Sequence, residues 1–238
     1  MKQDAQEITQ HMWGTSFSRT AMAKAKYRVC LVDDDADFCN LFRVAAKSAG
    51  YEAICFNSAQ EFLAGFEPAK VCCLVLDVRL PGMTGLELQE ILKARKTYIP
   101  MLIMTGHGDV PMAVQAIKNG AFDFLEKPFK HEDLAERLRQ AQDIYARWQK
   151  VENERREVDS RLAELTPRER EVFGLMADGM KNMAIARHLG ISRKTLDIHR
   201  TKVVDKMKAR TWADIARWRL LHESGPGGTV AIKPGSYI

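Results

Sequence analysis

From Tyr27 onward the chain alternates short apolar runs with amphipathic stretches of about ten residues, and few folds accommodate that pattern. The runs are rich in Val, Ile, Leu and Cys. They are Arg28–Asp33, Glu52–Phe56, Val71–Asp77, Met101–Thr105 and Phe122–Glu126. Their length suits strands, and their near-continuous apolar character predicts burial on both faces. The stretches between them carry helix signals. Ser58 precedes Glu61 by three residues, as Thr84 precedes Glu87, and both pairs predict capping boxes. Gly50, Gly65 and Gly120 stand where the helices should stop. Five strand–helix units within about a hundred residues predict an α/β domain: a five-stranded parallel, doubly wound sheet with helices on both faces.

After Pro128-Phe129-Lys130 no Gly or Pro occurs until Pro167. Leu134, Leu138, Ala141, Tyr145 and Trp148 follow helical spacing. Val151, Val158, Leu162 and Leu165 continue an apolar stripe after a phase slip. One long helix is expected, packed first on its own domain and then continuing as a linker. Its stripe has too few clean heptads to require a coiled coil. A second domain opens at Thr166-Pro167-Arg168-Glu169, with an N-cap Thr, Pro at the first helical position and Glu at the third. Helical segments follow at Met183–Leu189, Ser192–Lys208 and Thr211–Glu223. The expected organisation is a flexible extension over 1–26, the sheet domain over 27–130, a fifth helix and linker over 131–164, an all-α helix–turn–helix domain over 165–223, and a disordered tail over 224–238.

The formal net charge of +5 hides a division. Residues 166–238 hold 14 Lys and Arg against 7 Asp and Glu, whereas residues 1–165 hold the remaining 22 and 24. An acidic front and a basic back predict two tasks, the second on nucleic acid. No run approaches the roughly 18 apolar residues of a membrane span, and the N-terminus lacks the apolar core of a signal peptide. A cytoplasmic protein without membrane attachment is expected. The cysteines (Cys30, Cys39, Cys55, Cys72, Cys73) are odd in number and mostly lie inside apolar runs, which fits buried free thiols in a reducing compartment.

In an open parallel sheet, function collects at the carboxyl ends of the strands. Here those ends carry Asp33-Asp34-Asp35, Asp77, Thr105 and Lys127-Pro128. A lone Asp after a strand is usually a turn residue. The whole set on one sheet edge is far more specific. Crowded carboxylates repel one another, and a divalent cation relieves the repulsion. All-oxygen donors favour Mg²⁺, which takes only one or two carboxylates. Asp77 is then placed to act as a nucleophile on a phosphoryl group, with the cation and Lys127 neutralising its oxygens and Thr105 donating a hydrogen bond.

Residues 27–130 resemble the receiver domain of bacterial two-component response regulators. The resemblance rests on LVDDD at 31–35, LVLDVRLPGMTGLE at 74–87, IMTGHGD at 103–109 and DFLEKPF at 123–129, in the family's order. It implies that Asp77 is the phosphoacceptor. It implies Mg²⁺ (or Mn²⁺) held by Asp34, Asp77 and the backbone carbonyl of Arg79, with Asp33 acting through water. Thr105 and Lys127 would read the phosphoryl group, Asp35 would be an accessory acid, and Lys127-Pro128 matches a cis peptide. The resemblance also implies a switch, in which Thr105 and the ring at Phe124 move and the face of the fourth helix, fifth strand and fifth helix is remodelled. Phe124 lacks the hydroxyl of the commoner Tyr, so a permanently buried ring is an equal expectation.

In the basic domain, Met183–Leu189, a Gly190-Ile191 turn and a helix capped by Ser192 read as helix–turn–helix. Leu196, His199, Val203 and Met207 are expected to form the buried face of the second helix. Lys194, Ile198, Thr201 and Asp205 form the outer one. Cations near a helix N-terminus run against its dipole, so an external anion explains them, and a major groove fits the helix. Residues 162–222 resemble the DNA-binding domain of the LuxR/NarL/FixJ class through LTPREREV at 165–172, NMAIARHLGIS at 182–192 and KTLDIHRTKVVDKM at 194–207. Met183 and Ala184 stand where that class often has an acid or a small polar residue. The resemblance implies base contacts from Asp197, Ile198 and Thr201. Lys181, Lys194, Thr195, Arg200 and Lys202 are expected on phosphates.

GHGDVPMAVQAIKNGAFDFLEKPF at 106–129 points to the FixJ-like subgroup. The resemblance implies phosphorylation of Asp77 by a sensor histidine kinase, homodimerisation, binding to double-stranded DNA and control of transcription, commonly activation through RNA polymerase. No motif marks a pocket for a separate substrate, so an enzyme in the usual sense is not expected. The receiver would catalyse only its own phosphorylation and dephosphorylation. The alternative is a phosphorylation-independent DNA-binding regulator with the receiver as a dimerisation module.

Overall fold

The computed structural model describes residues 27–67, 71–106 and 110–224. The extension over 1–26, the tail from 225 and residues 107–109 of the subgroup motif lie outside the described residues. The described chain divides into two compact units, with the division between Arg147 and Trp148. No helix among the described residues is long and apolar enough to cross a membrane.

The first unit alternates strand and helix without exception. Its elements are β1 (Arg28–Val32), α1 (Ala36–Ser48), β2 (Glu52–Phe56), α2 (Ala59–Gly65), β3 (Val71–Asp77), α3 (Gly85–Ala94), β4 (Met101–Thr105), α4 (Val110–Lys118), β5 (Asp123–Glu126) and the start of α5 (His131–Ala163). The sheet has the order β2-β1-β3-β4-β5, and every pairing is parallel. The order reverses direction beside β1, so the carboxyl ends of β1 and β3 flank the crevice where such folds bind ligands. Side chains alternate faces along each strand. Cys30, Val32, Leu74, Leu76 and Ile103 join Phe62, Leu88 and Leu92 in one apolar layer. Val29, Leu31, Val75, Leu102 and Met104 are equally buried, as are Phe42 of α1 and Leu134 and Leu138 of α5. Both sheet faces are therefore dry, as the unbroken apolar runs require.

The strand boundaries differ slightly from expectation. β1 ends at Val32, yet Asp33 still donates its N–H to the Phe56 carbonyl at 3.1 Å. β5 begins at Asp123, while the Phe122 N–H bonds the Met101 carbonyl at 3.0 Å. The Thr84–Glu87 capping box forms in full. At Ser58 only half of a box forms: its hydroxyl accepts from Glu61 N–H, but the Glu61 carboxylate reaches one residue further, to Asn57 N–H at 2.7 Å. All five cysteines are free thiols. Burial pushes Cys30, Cys39 and Cys72 up to about 12, which keeps them protonated at neutral pH.

The second unit is helical: the end of α5, then α6 (Pro167–Ala177), α7 (Asn182–His188), α8 (Arg193–Met207) and α9 (Trp212–Glu223). Thr166 and Glu169 close a capping box on α6, with Pro167 at its start, and Thr211 and Asp214 close another on α9. Leu162, Leu165, Val172, Phe173, Ile185, Leu196, Val203, Met207 and Trp218 share one core. Glu169 is buried, and its carboxylate accepts from Lys206 Nζ of α8 at 2.7 Å and from Thr166 N–H at 2.9 Å. The Lys206 ammonium and the Thr166 N–H hold its carboxyl down at about 2. One residue thus caps α6 and ties it to α8.

Candidate functional site

Each acidic strand end is shaped by its own backbone. Asp33 follows β1 and is almost fully buried; its Oδ1 accepts from Asp35 N–H at 3.0 Å. Asp35 caps α1, accepting from the N–H groups of Asp37 and Phe38. Asp34, between them, is exposed. Asp77 ends β3, and its Oδ1 accepts from Arg79 N–H at 3.1 Å. The turn after it packs so closely that a Cβ on Gly85 would lie 2.2 Å from the Asp77 carbonyl oxygen. Glycine is what lets α3 start against that strand end.

Lys127 joins the two strands. Its Nζ lies 2.6 Å from Asp33 Oδ2 and 2.6 Å from Asp77 Oδ2. The preceding β5 fixes it, because Lys127 N–H bonds the Thr105 carbonyl at 2.7 Å, and the following Lys127-Pro128 bond is cis. Burial raises the Asp33 carboxyl, with Lys127 pulling the other way. Burial lowers the Lys127 ammonium, but the Asp33 and Asp77 carboxylates outweigh it and hold it above its ordinary value. The Lys127 ammonium also sits over the Phe38 ring, 4.5 Å from its centroid.

Thr105 is buried at the end of β4, and its hydroxyl donates to the Gly106 carbonyl at 3.3 Å. Phe124 is 40% exposed, so the expectation of a permanently buried ring is overturned. The reason is local: Phe124 and Glu126 share the wet side of β5 while Leu125 takes the core side.

Among the described residues no three His, Cys, Asp or Glu side chains are gathered as a metal cage. The donor chemistry nevertheless suits a hard cation that takes one or two carboxylates and keeps its waters. Asp33, Asp34 and Asp77 bring three carboxylates to two adjacent strand ends, and Lys127 is the cation that bridges two of them.

In the second unit, Leu196, Val203 and Met207 of α8 are fully buried. His199 is only half-buried, because it lies at the edge of that stripe, and its Nδ1 has no hydrogen-bond partner among the described residues. Lys181, Lys194, Thr195, Asp197, Ile198, Thr201 and Lys202 are exposed. Ile198 stands out at 51% exposure on an outward face. Arg193, Lys194, Asp197, Ile198 and Thr201 line an open concavity of about 550 Å³. Arg193 is a cation the sequence reading passed over; its place just after the Ser192 cap was the available signal. Arg200 is half-buried and lies 3.7 Å from the Asp197 carboxylate. The Thr201 hydroxyl is engaged with the Asp197 carbonyl at 3.0 Å, which leaves its methyl group for other contacts.

A doubly wound sheet with an acid–lysine cluster at its switch point, joined to a helix–turn–helix unit, is the architecture of a two-component response regulator. The family described as "Response regulator receiver domain" matches residues 29–139, and "Bacterial regulatory proteins, luxR family" matches residues 163–219. The transcriptional regulatory protein FixJ of Bradyrhizobium diazoefficiens is 39% identical over 192 residues, covering 81% of this chain and 94% of that protein. The structure of the response regulator StyR is similar with a TM-score of 0.69 and 37% identity, covering 82% of this chain and 99% of StyR. Full-length FixJ from B. japonicum follows with a TM-score of 0.51 and 37% identity, over 84% of this chain and 98% of that one. The chain belongs to the FixJ-like response regulators, transcriptional regulators that are activated by phosphorylation. A sensor kinase and DNA are the partners that this membership entails.

Proposed function

We propose that Asp77 receives a phosphoryl group from a sensor histidine kinase. The observation that carries this is the single ammonium of Lys127 bonded at 2.6 Å to both Asp33 and Asp77. An Asp77 carboxylate oxygen attacks phosphorus, the bond from phosphorus to the donor histidine nitrogen breaks, and that nitrogen keeps the electron pair. Lys127 transfers its contact from the Asp77 carboxylate to a phosphoryl oxygen, while Asp33 keeps the ammonium from drifting. Asp34, Asp77 and the backbone carbonyl of Arg79 would hold Mg²⁺ or Mn²⁺, with Asp33 reaching it through water. The metal supplies neutralisation of the phosphoryl oxygens when bound. Thr105 gives up its bond to the Gly106 carbonyl and donates to the phosphoryl group. That movement frees space beneath the half-exposed Phe124 and alters the face of α4, β5 and α5.

The altered face pairs two copies of the chain, and the dimer sets two recognition helices on a two-fold site in double-stranded DNA. Asp197, Ile198 and Thr201 read base edges, while Lys181, Lys194, Thr195, Arg200 and Lys202 anchor phosphates. Transcription is activated through contact with RNA polymerase, in the cytoplasm. The working parts are the receiver at 27–130, the linker helix at 131–164 and the DNA-binding domain at 165–223. Incubation with labelled acetyl phosphate and Mg²⁺ tests the first step: the unsubstituted protein is expected to take up label, and Asp77→Asn is expected to take up none. Persistent labelling of Asp77→Asn would remove Asp77 from its role.

A further inference from the structure

We infer that Phe38 is a positioning residue for Lys127, fixing the ammonium by a cation–π contact so that it meets the phosphoryl group at a set place. The inference rests on the proposed roles of Asp77 and Lys127 and adds a residue to them. Two carboxylates at 2.6 Å hold the Lys127 ammonium at the strand ends. The Phe38 ring of α1 is a third, uncharged contact, with its centroid 4.5 Å from Nζ. The ring is itself fixed. The Phe38 backbone N–H is tied to the Asp35 cap, the residue is 8% exposed, and its ring meets Phe129 edge-on with centroids 6.0 Å apart and planes at 89°. Phe129 is 5% exposed, so Lys127 and Phe129, the residues flanking Pro128, both lean on one aromatic ring.

The ring face offers negative potential that is strongest toward a poorly hydrated cation. Lys127 is such a cation, with its side chain 24% exposed. Water could solvate the ammonium in any orientation, whereas the ring solvates it in one. During transfer Lys127 must release Asp77 Oδ2 and take a phosphoryl oxygen. The ring keeps the ammonium at the strand ends through that exchange, so the loss of one carboxylate contact does not let it escape to solvent.

The test replaces Phe38 with phenylalanines bearing one, two and three ring fluorines in the full-length protein, with Phe38→Leu as the endpoint. Fluorine drains the ring's negative face with little change of shape, so folding is retained and circular dichroism checks it. The rate of phosphorylation by acetyl phosphate is measured at saturating Mg²⁺. The logarithm of the rate is expected to fall stepwise with each fluorine, reaching about a five- to tenfold loss at Phe38→Leu. A ring that merely fills space would give equal rates across the fluorinated series, and that result overturns the inference while leaving Asp77 and Lys127 in place. Absence of label in the unsubstituted protein would instead remove both the proposed site and the positioning role.

Discussion

Glu169 illustrates how much one side chain can carry. Its carboxylate caps α6 and bonds Lys206 of α8, and these partners hold it at about 2, well below the ordinary value of 4.5. A carboxyl depressed on folding contributes stability that is complete above the unfolded value and is lost as pH falls through the folded one. The contribution is therefore full above about pH 4.5 and gone near pH 2. Glu169→Gln should lower the stability of the DNA-binding unit by about 1–2 kcal/mol at pH 7, and the gap from the unsubstituted protein should narrow by pH 3. Thermal unfolding at the two pH values checks this; a gap that stays constant would show the charge to be irrelevant. Residues differ in how openly the sequence displays such roles. The meeting of Asp33, Asp77 and Lys127 was legible because strand ends of one parallel sheet must share an edge. Phe38 was not, because nothing in the run Ala36–Ser48 says which apolar side chain of the helix will meet the lysine of a distant strand. Phe124 was half legible: alternation along β5 decides its face, but a strand of four residues is too short for periodicity to announce it.

At the scale of elements, sequence signals placed all five strands and the helices between and after them, with the expected caps present at α3, α6, α8 and α9. They missed at edges. A capping box read from two residue types could not foresee that Glu61 would bond Asn57 rather than Ser58. A buried stripe on α8 could not place His199, which lies between core and solvent. The outer face of α8 makes a prediction in two parts. Lys202 is exposed and cationic, so Lys202→Ala should weaken binding to all DNA sequences alike and reduce the salt slope by about one. Ile198 projects into the concavity with no charge to contribute, so Ile198→Ala should leave the salt slope alone and cost about 1–3 kcal/mol of discrimination at one base pair. Binding titrations at several salt concentrations on specific and scrambled duplexes separate the two. Indistinguishable mutants would undo the division between phosphate and base contacts. Asp197 shares its charge with Arg200 at 3.7 Å, so its own reach toward a base is tempered by that neighbour.

The whole molecule is organised by the division of its charge. The acidic part collects the carboxylates proposed to handle a metal and a phosphoryl group, and the basic part collects the cations proposed to meet DNA. Each part folds around its own core, and α5 belongs to both. The division of charge alone predicts two tasks; the motifs and caps turn it into expected boundaries, with the second domain opening at Thr166. What no local pattern encodes is the coupling, because it depends on an equilibrium between two states of the receiver rather than on a fold. The central claim is that phosphorylation of Asp77 drives pairing and DNA binding. Its most direct test measures sedimentation and DNA protection side by side, with and without acetyl phosphate and Mg²⁺, for the unsubstituted protein and Asp77→Asn. The account predicts that only the phosphorylated, unsubstituted protein sediments as a dimer and protects a two-fold site. Equal dimerisation and equal protection in all four samples would contradict it and return the receiver to a passive dimerisation module.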